Sequence, residues 1–351
     1  MKYLKTYKLF EAKTGLTPEQ EAFLNKYTNG TWTLNPVTGL VDVKGDFNCS
    51  GKKLEDFKGV KFGKVGGDFY CEGNKLTSLE GAPQEVDGIF NCERNELTSL
   101  EGAPQKVTGY FNCADNKLTS LAGAPQELGW TFYCEGNKLT SLEGAPQKVG
   151  GNFECGKNNL TSLEGAPQEV GGNFFCSNNQ LTSLEGAPQE VGGNFDCHRN
   201  ELTSLAGGPQ RVGGYFNCRY NQLTSLEGAP QKVGGDFWCK RNELTSLAGA
   251  PQEVGGDFDC GTFKLKQGEW NLEGWLKVLK EGSQEAQSLI STILSAEALN
   301  KEIAQDPTGM IMKLKPVWND ENFKKTRGKL VWPKGYGDVA DLVGDLGGIG
   351  L

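Results

Sequence analysis

Histidine is almost absent from this sequence, which removes many catalytic and metal sites from consideration. His198 is the only histidine among 351 residues, so a site with two histidine ligands is excluded. A Cys–His pair could be built only from Cys197 and His198, and adjacent residues of a strand face opposite sides. We therefore expect no enzymatic activity, no metal and no cofactor.

Long apolar segments and an excess of positive charge are also missing. No uninterrupted apolar run reaches the roughly 18 residues that suggest a membrane-spanning helix, and residues 1–13 lack the apolar core and cleavage site of a secretory signal. The formal net charge of -8 argues against a general nucleic-acid binder. We expect a soluble cytoplasmic protein without a membrane partner, for which nucleic acid is an unfavoured ligand.

Cysteine is abundant, but it recurs at one phase. The first gap between the 11 cysteines is 22 residues and every later gap is 21. A residue that recurs once per repeat is a packing position, which indicates reduced, buried and unreactive thiols. Thiols in a row about 4.8 Å apart would not form the tetrahedral cage of a zinc site. The cysteines are Cys49, Cys71, Cys92, Cys113, Cys134, Cys155, Cys176, Cys197, Cys218, Cys239 and Cys260.

The repeat unit assigns a role to each fixed position. In one copy, Phe174 and Cys176 are two residues apart, so both point inward from a short strand. Asn179 can satisfy the backbone groups that lose their partners where the strand ends. Leu181 adds to the core, and Pro188 disfavours a helix on the return path. The Gly-Gly pair before the strand predicts a tight turn with positive φ.

The pattern Phe-x-Cys-x-x-Asn-x-Leu-x-x-Leu resembles the leucine-rich repeat signature L-x-L-x-x-N-x-L over about residues 44–267. It is most similar to the short repeats of the bacterial YopM and IpaH effectors. The resemblance implies a mainly β repeat solenoid, a horseshoe with parallel strands, a non-helical convex side and helical caps at both ends. A flatter β-solenoid is the alternative, because the apolar residue before the strand lies one place early. IpaH ligases use a cysteine nucleophile, and no cysteine follows Cys260 here.

Three regions are predicted along the chain. Residues 1–45 form an N-terminal cap, with a helix that begins after the capping box at Thr17 and a hairpin over 32–43. Residues 46–267 form ten to eleven repeats. Residues 268–351 form an α-rich cap or accessory region that covers the solenoid edge. Its predicted elements are helices over 270–279 and 283–305 and a strand over 310–314.

Variable positions beside the fixed core are free for binding. On the outward side of the strands they are acidic in the first half of the array, and basic and aromatic in the last third. Arginine, tyrosine and tryptophan are enriched at binding hot spots. Ordinary variation among solvated residues and an anionic ligand are the alternatives to a protein partner. The candidate partner-binding residues are Phe175, His198, Arg199, Arg219, Tyr220, Trp238, Lys240 and Arg241.

The first residues of the chain suggest an origin. The repeat resembles those of proteins encoded by large tailed bacteriophages, and residues 1–12 resemble the capsid-targeting peptides of internal head proteins of contractile-tailed phages. A prohead protease cuts those peptides after Leu-x-Glu, and Leu9, Phe10 and Glu11 fit this pattern. The alternative interpretation of this segment is the helical start of the N-terminal cap.

These observations predict a non-catalytic, protein-binding repeat scaffold. The resemblance implies a phage-encoded protein in the cytoplasm of a bacterial host or in a virion, with a host or virion partner and with self-association left open. Two alternatives have a different basis. In one, residues 268–351 carry an effector or toxin activity that the repeats target. In the other, the chain is a structural component of a phage particle.

Overall fold

The computed structural model describes residues 15–315, 318, 323–334 and 336. The chain divides into two compact units, unit 1 (Met1–Glu201) and unit 2 (Leu202–Leu351), and each is described by itself. The three regions predicted from the sequence stay predictions. Leu9, Phe10 and Glu11 lie outside the described residues, so the processing site also stays a prediction.

Each turn of unit 1 contributes two short strands, which we call the face strand and the back strand. In one turn the back strand is Glu169–Val170 and the face strand is Phe174–Phe175. Both pair in parallel and in register with their equivalents in the preceding turn, Val170 with Val149 and Phe174 with Phe153. The predicted parallel-stranded β-solenoid with a non-helical return path is confirmed. The back strand was not predicted from the sequence.

The face strands of unit 1 form one sheet, in which Thr28–Asn29 pairs antiparallel with the first face strand. The face strands are Asp46–Asn48, Phe69–Tyr70, Phe90–Asn91, Phe111–Asn112, Phe132–Tyr133, Phe153–Glu154, Phe174–Phe175 and Phe195–Asp196. The back strands are Phe62–Val65, Glu85–Val86, Lys106–Val107, Glu127–Leu128, Lys148–Val149, Glu169–Val170 and Glu190–Val191.

Unit 2 repeats the same turn. Its face strands are Phe216–Asn217, Phe237–Trp238 and Phe258–Asp259, and its back strands are Arg211–Val212, Lys232–Val233 and Glu253–Val254. A final strand, Lys264–Leu265, pairs antiparallel with the last face strand and ends the parallel series.

The core consists of columns of identical side chains. Phe174, Cys176, Leu181 and Leu184 have no exposed surface. The Phe174 ring stacks on Phe153 and Phe195, with centroids 5.5 and 5.3 Å away. A fully buried apolar side chain of this size contributes about 1.5–3 kcal/mol. Because each ring is covered by the turns on both sides, the core belongs to the stack rather than to any single repeat.

A ladder of buried asparagines closes the backbone hydrogen bonds where each face strand ends. The Asn158 Nδ2 donates to the carbonyl oxygens of Cys134 and Cys155 at 3.0 and 3.1 Å. Its Oδ1 accepts the backbone N–H of Leu139 at 3.0 Å. One amide side chain therefore joins two successive turns, which confirms the role that its position predicts.

The prediction that the Gly-Gly pair before the strand adopts positive φ was wrong. Neither Gly171 nor Gly172 has a positive φ; that conformation occurs at Gly186 (φ 91), which precedes Ala-Pro on the return path. A Cβ at Gly171 would lie 2.4 Å from the carbonyl oxygen of Gly150. At Gly171 the preceding turn is thus too close for a Cβ unless the backbone shifts, whereas in other turns Asp87 and Thr108 occupy the position of Gly171 and Trp130 that of Gly172.

The N-terminal edge of unit 1 is covered by helix α1, Pro18–Tyr27. Thr17 caps it, since its side chain accepts the Gln20 N–H while the Gln20 side chain accepts the Thr17 N–H. The Phe23 ring packs on Phe47 at 5.5 Å. Strands Trp32–Leu34 and Val41–Val43 then form an antiparallel hairpin. The helix and the hairpin thus occur where the sequence predicts them.

The last turn of unit 2 is covered by Trp270 and by helices. The Trp270 ring stacks on Phe258 at 4.0 Å, and its Nε1 donates to the Pro251 carbonyl oxygen at 3.0 Å. Across the part of the chain that the structure describes, no helix is long and apolar enough to cross a membrane. The helices are α2 (Leu272–Glu281), α3 (Gln284–Ile293), α4 (Ala296–Gln305), α5 (Pro307–Leu314) and α6 (Lys324–Arg327).

Two predictions for this region were wrong. The single helix over 283–305 is two helices, because Ser295 accepts the Ala298 N–H and starts a new helix. The strand over 310–314 is part of α5. Asp306 caps this helix and Pro307 occupies its first turn, a local start signal that outweighs the apolar run after it.

Candidate functional site

The face strands leave one side of each sheet without core contacts, which we call the outer face. Phe174 and Cys176 are buried, whereas Phe175 and Ser177 between and after them are half-buried. The residue before each face-strand phenylalanine shares this outer side, because side chains alternate along a strand. The outer face is therefore built from three positions per turn.

In unit 2 the outer face carries a three-membered stack, Tyr215, Trp238 and Arg219, which we call the basic stack. The Tyr215 and Trp238 ring centroids are 4.9 Å apart with an interplanar angle of 29°. The Arg219 guanidinium lies 4.8 Å from the Trp238 ring centroid. Its Nε donates to Asn217 Oδ1 at 2.9 Å, which orients the group over the ring. Lys240 lies beside Asp259, with Nζ and Oδ2 3.6 Å apart.

Phe175 and Trp238 lie within face strands; His198, Arg219 and Lys240 follow the strand ends by two residues, and the other three predicted residues follow them by three. Arg199, Tyr220 and Arg241 follow their cysteines by two residues and have φ values of 54, 57 and 62. Their placement on the sheet was wrong, because the chain leaves each face strand through a left-handed residue at this position. Tyr220 is 45% exposed there. These side chains lie in the turn after the strand.

The remaining predicted residues lie in unit 1. Phe175 is half-buried on its outer face. His198 Nδ1 lies 2.6 Å from Asp196 Oδ1, so the imidazole is held by the neighbouring outer residue. The predicted set is thus divided between the units, and the structure brings Arg219 and Trp238 into contact within unit 2. The role of these residues in partner binding stays a prediction.

Sequence reasoning missed the aromatic partners. The residue before each face-strand phenylalanine is usually Asn or Asp, and its side chain accepts the backbone N–H of the next turn, as Asn152 Oδ1 does from Asn173 at 2.9 Å. Tyrosine replaces it at Tyr110 and Tyr215, which are 105 residues, or five repeats, apart. Each tyrosine packs on an aromatic residue 23 positions later. The replacement of Asn or Asp by tyrosine in this column is the sequence feature that could have revealed the aromatic partners.

The outer face of unit 1 carries the second aromatic pair, Tyr110 and Tyr133, which is surrounded by carboxylates. Tyr110 and Tyr133 pack edge to face with centroids 5.6 Å apart. Burial, with repulsion from Glu154 and from two further carboxylates, raises the pKa of Glu135 to about 7. Its Oε2 is buried without a hydrogen-bond partner. Burial also raises the pKa of Glu154. Ionised Glu135 is therefore unfavourable in the folded chain.

We expect Glu135→Gln to change how stability depends on pH. The folded-state pKa of Glu135, about 7, lies above its ordinary value of 4.5. The folded chain therefore binds the proton more tightly, and stability falls as pH rises from about 4.5 through 7. Glutamine should remove this part of the slope and stabilise the chain at alkaline pH relative to the wild type.

Urea unfolding at a series of pH values measures this effect. Glu164→Gln is the matched control, because it removes the same charge from an exposed turn residue of the same unit. Equal pH slopes in both variants would contradict a special environment for Glu135.

Burial limits the reactivity of the cysteine thiols. All 11 cysteines are free and buried. Burial raises the pKa of thiols such as Cys113 and Cys134 well above their ordinary range, so they stay protonated. Among the residues that the structure describes, no three His, Cys, Asp or Glu side chains are grouped to hold a metal ion.

A cavity of about 530 Å³ lies against the C-terminal helices of unit 2. Its walls include Trp270, Trp275 and Met310. Two of its carboxylates have structural roles: Glu302 lies 3.8 Å from Lys313 Nζ, and Asp306 caps α5. The described lining contains no cysteine or histidine, so it offers no Cys–His nucleophile for the alternative effector activity.

Comparison with known proteins finds similarity at the level of structure alone. No protein-family model matches the chain, and a search of curated proteins finds no match. The leucine-rich effector YopM from Yersinia pestis is similar with a TM-score of 0.41 and 18% identity over 57% of this chain and 58% of that one. YopM from Yersinia enterocolitica gives 0.32 and 18% identity over 59% and 61%. The matched region spans less than two thirds of either YopM chain.

Proposed function

We propose that this chain is a non-catalytic repeat scaffold that binds a protein partner through its outer face, with the basic stack as the centre of contact. The observation that carries this proposal is the Tyr215–Trp238–Arg219 arrangement. Its members belong neither to the phenylalanine and cysteine columns nor to the asparagine ladder. They are the residue types that dominate protein–protein binding energy.

The stack is ordered before any partner arrives. Arg219 is held by Asn217 and by the Trp238 ring, so little side-chain freedom is left to lose on binding. A guanidinium that lies on an aromatic ring can bind a carboxylate of the partner, and the ring can contact the apolar surface beside that carboxylate. The proposed partner therefore presents acidic and apolar side chains together.

The proposal extends to the origin of the chain and of its partner. We infer a phage-encoded protein that acts in the cytoplasm of a bacterial host or within a virion, with a partner from either source. The likeness of residues 1–12 to capsid-targeting peptides, with Leu9, Phe10 and Glu11 at the processing position, supports this inference.

Affinity capture from bacterial lysate and from phage virions tests the proposed function. We expect a specific protein to be retained by the wild type and lost with Trp238→Ala combined with Arg219→Glu. Truncation of a central tryptophan costs about 2 kcal/mol, or about 30-fold in affinity. Quantitative titration of the captured protein should show at least this loss.

Arg211→Glu is the control, since it reverses a charge on an exposed back-strand residue of the same unit. Thermal unfolding establishes that both variants fold. Retention of the partner by the folded double variant would reject the basic stack as the binding site, and equal loss in the control would indicate attraction by net charge alone.

A further inference from the structure

The aromatic pair of unit 1 repeats the design of the basic stack with the opposite charge. Tyr110 and Tyr133 occupy the same two positions of the repeat as Tyr215 and Trp238. The pair in unit 2 is accompanied by Arg219, whereas Glu93, Glu135 and Glu154 stand directly beside cysteines in this part of unit 1. Both pairs are half-buried and lie outside the core columns. The outer face of unit 1 therefore carries a second aromatic patch, and this patch is acidic.

We propose that Tyr110 and Tyr133, together with Glu93, Glu135 and Glu154, form a second docking surface that takes a lysine- or arginine-rich segment of a partner protein. We call these five residues the acidic patch. Rings and carboxylates side by side are the combination that holds a cationic side chain, because the ring face and the carboxylate both attract the positive charge. This inference does not depend on what the basic stack binds.

The acidic patch lacks cations of its own at its centre. Arg94 Nε lies 3.2 Å from Glu93 Oε1 and 3.6 Å from Asp115 Oδ2. In the described part of the chain, Glu135 and Glu154 have no cationic group within ion-pair distance. A lysine or arginine from a partner would supply the missing counter-charge.

In unit 1, the side-chain hydrogen bonds made by the residue before each face-strand phenylalanine are interrupted at Ile89 and at Tyr110. Asp68 Oδ1 accepts the Ile89 N–H and Asn152 Oδ1 accepts the Asn173 N–H. A phenol at position 110 cannot continue this backbone ladder as a carboxylate or an amide does. The tyrosine instead adds an aromatic ring to the outer face.

The charge distribution selects the class of partner. An approaching anion would be repelled by Glu154, Asp115 and Glu93, the carboxylates that already repel the charge of Glu135. Phosphates of nucleic acid and acidic proteins are therefore unsuited to this face. A basic, flexible protein segment can place successive side chains over the rings and between the carboxylates.

Fluorescence anisotropy with a short labelled peptide of alternating lysine and serine tests the proposal, with a glutamate–serine peptide as the negative probe. We expect the full chain to bind the lysine peptide alone. Tyr110→Ser combined with Tyr133→Ser, which leaves the net charge unchanged, should weaken binding about fivefold or more, as expected for two lost ring contacts. Glu135→Gln should also weaken it.

Two controls separate the patch from diffuse attraction to an acidic chain. Glu164→Gln removes one charge from an exposed turn of unit 1 and should leave the affinity within about twofold. Trp238→Ala should not change it, which keeps this test independent of the basic stack. Thermal unfolding shows that each variant is folded. Undiminished binding by the folded tyrosine variant, equal weakening by Glu164→Gln, or no binding of the lysine peptide would each overturn the proposal.

Discussion

Phe174→Ala is expected to lower the free energy of unfolding by about 3–5 kcal/mol, the cost typical of truncating a buried phenylalanine. The ring has no exposed surface and stacks on Phe153 and Phe195 in the turns on either side. Its loss leaves a cavity in a continuous column, and neighbouring rings held by paired strands cannot move far to fill it. The effect should extend to the hydrogen-exchange protection of both adjacent turns.

The neighbouring residue provides a control of identical chemistry. Phe175 follows Phe174 in the same face strand but is half-buried on the outer face. Phe175→Ala should cost about 1 kcal/mol or less, because it removes no core contact. Urea unfolding of both variants measures the difference. Equal losses would contradict the assignment of inward and outward positions on which both proposed docking surfaces depend.

Asn158→Ala is expected to lower the free energy of unfolding by about 2–4 kcal/mol, even though the side chain that it removes is polar rather than apolar. Alanine removes the donor to two carbonyl oxygens and the acceptor for the Leu139 N–H, all of which stay buried. Each orphaned buried group costs about 1–3 kcal/mol. The loss therefore exceeds what one ordinary hydrogen bond contributes.

Asn159→Ala is the corresponding control. Asn159 is exposed; its backbone N–H donates to the Leu139 carbonyl oxygen, and its side chain accepts a long, exposed hydrogen bond from Gln180 Nε2 at 3.5 Å. Chemical denaturation should show a change within about 0.5 kcal/mol for this variant. A loss at Asn158 no larger than at Asn159 would mean that water replaces the ladder, contrary to the burial observed.

The two aromatic patches show how a regular array acquires specificity. Core columns and the asparagine ladder occupy the inward and strand-end positions of nearly every turn, so differences between turns are concentrated on the outer face. The patches share an arrangement and differ in charge, through Arg219 in one and Glu135 in the other. A scaffold of this kind can offer opposite electrostatic surfaces without any change in its core.

Much of the candidate site could be predicted from the sequence, but its geometry could not. Trp238 and Arg219 were identified because an outward aromatic or cationic residue is not needed by the core. Tyr215 was missed, since it contacts Trp238 only when two turns stack in register. Arg199, Tyr220 and Arg241 were misplaced, because the left-handed turn after each strand has no fixed residue type to announce it.

By itself the sequence determined the repeat, its buried columns, the asparagine ladder and the non-helical return. Each of these depends on local alternation and on a period that recurs in phase, so one turn predicts the next. The tertiary structure decided the back strand, the close approach of successive turns at Gly171, and the meeting of Tyr110 with Tyr133 among carboxylates. Those features depend on the distance between successive turns, a quantity that the stacking of the phenylalanine rings and backbone ladders sets and that no single repeat contains.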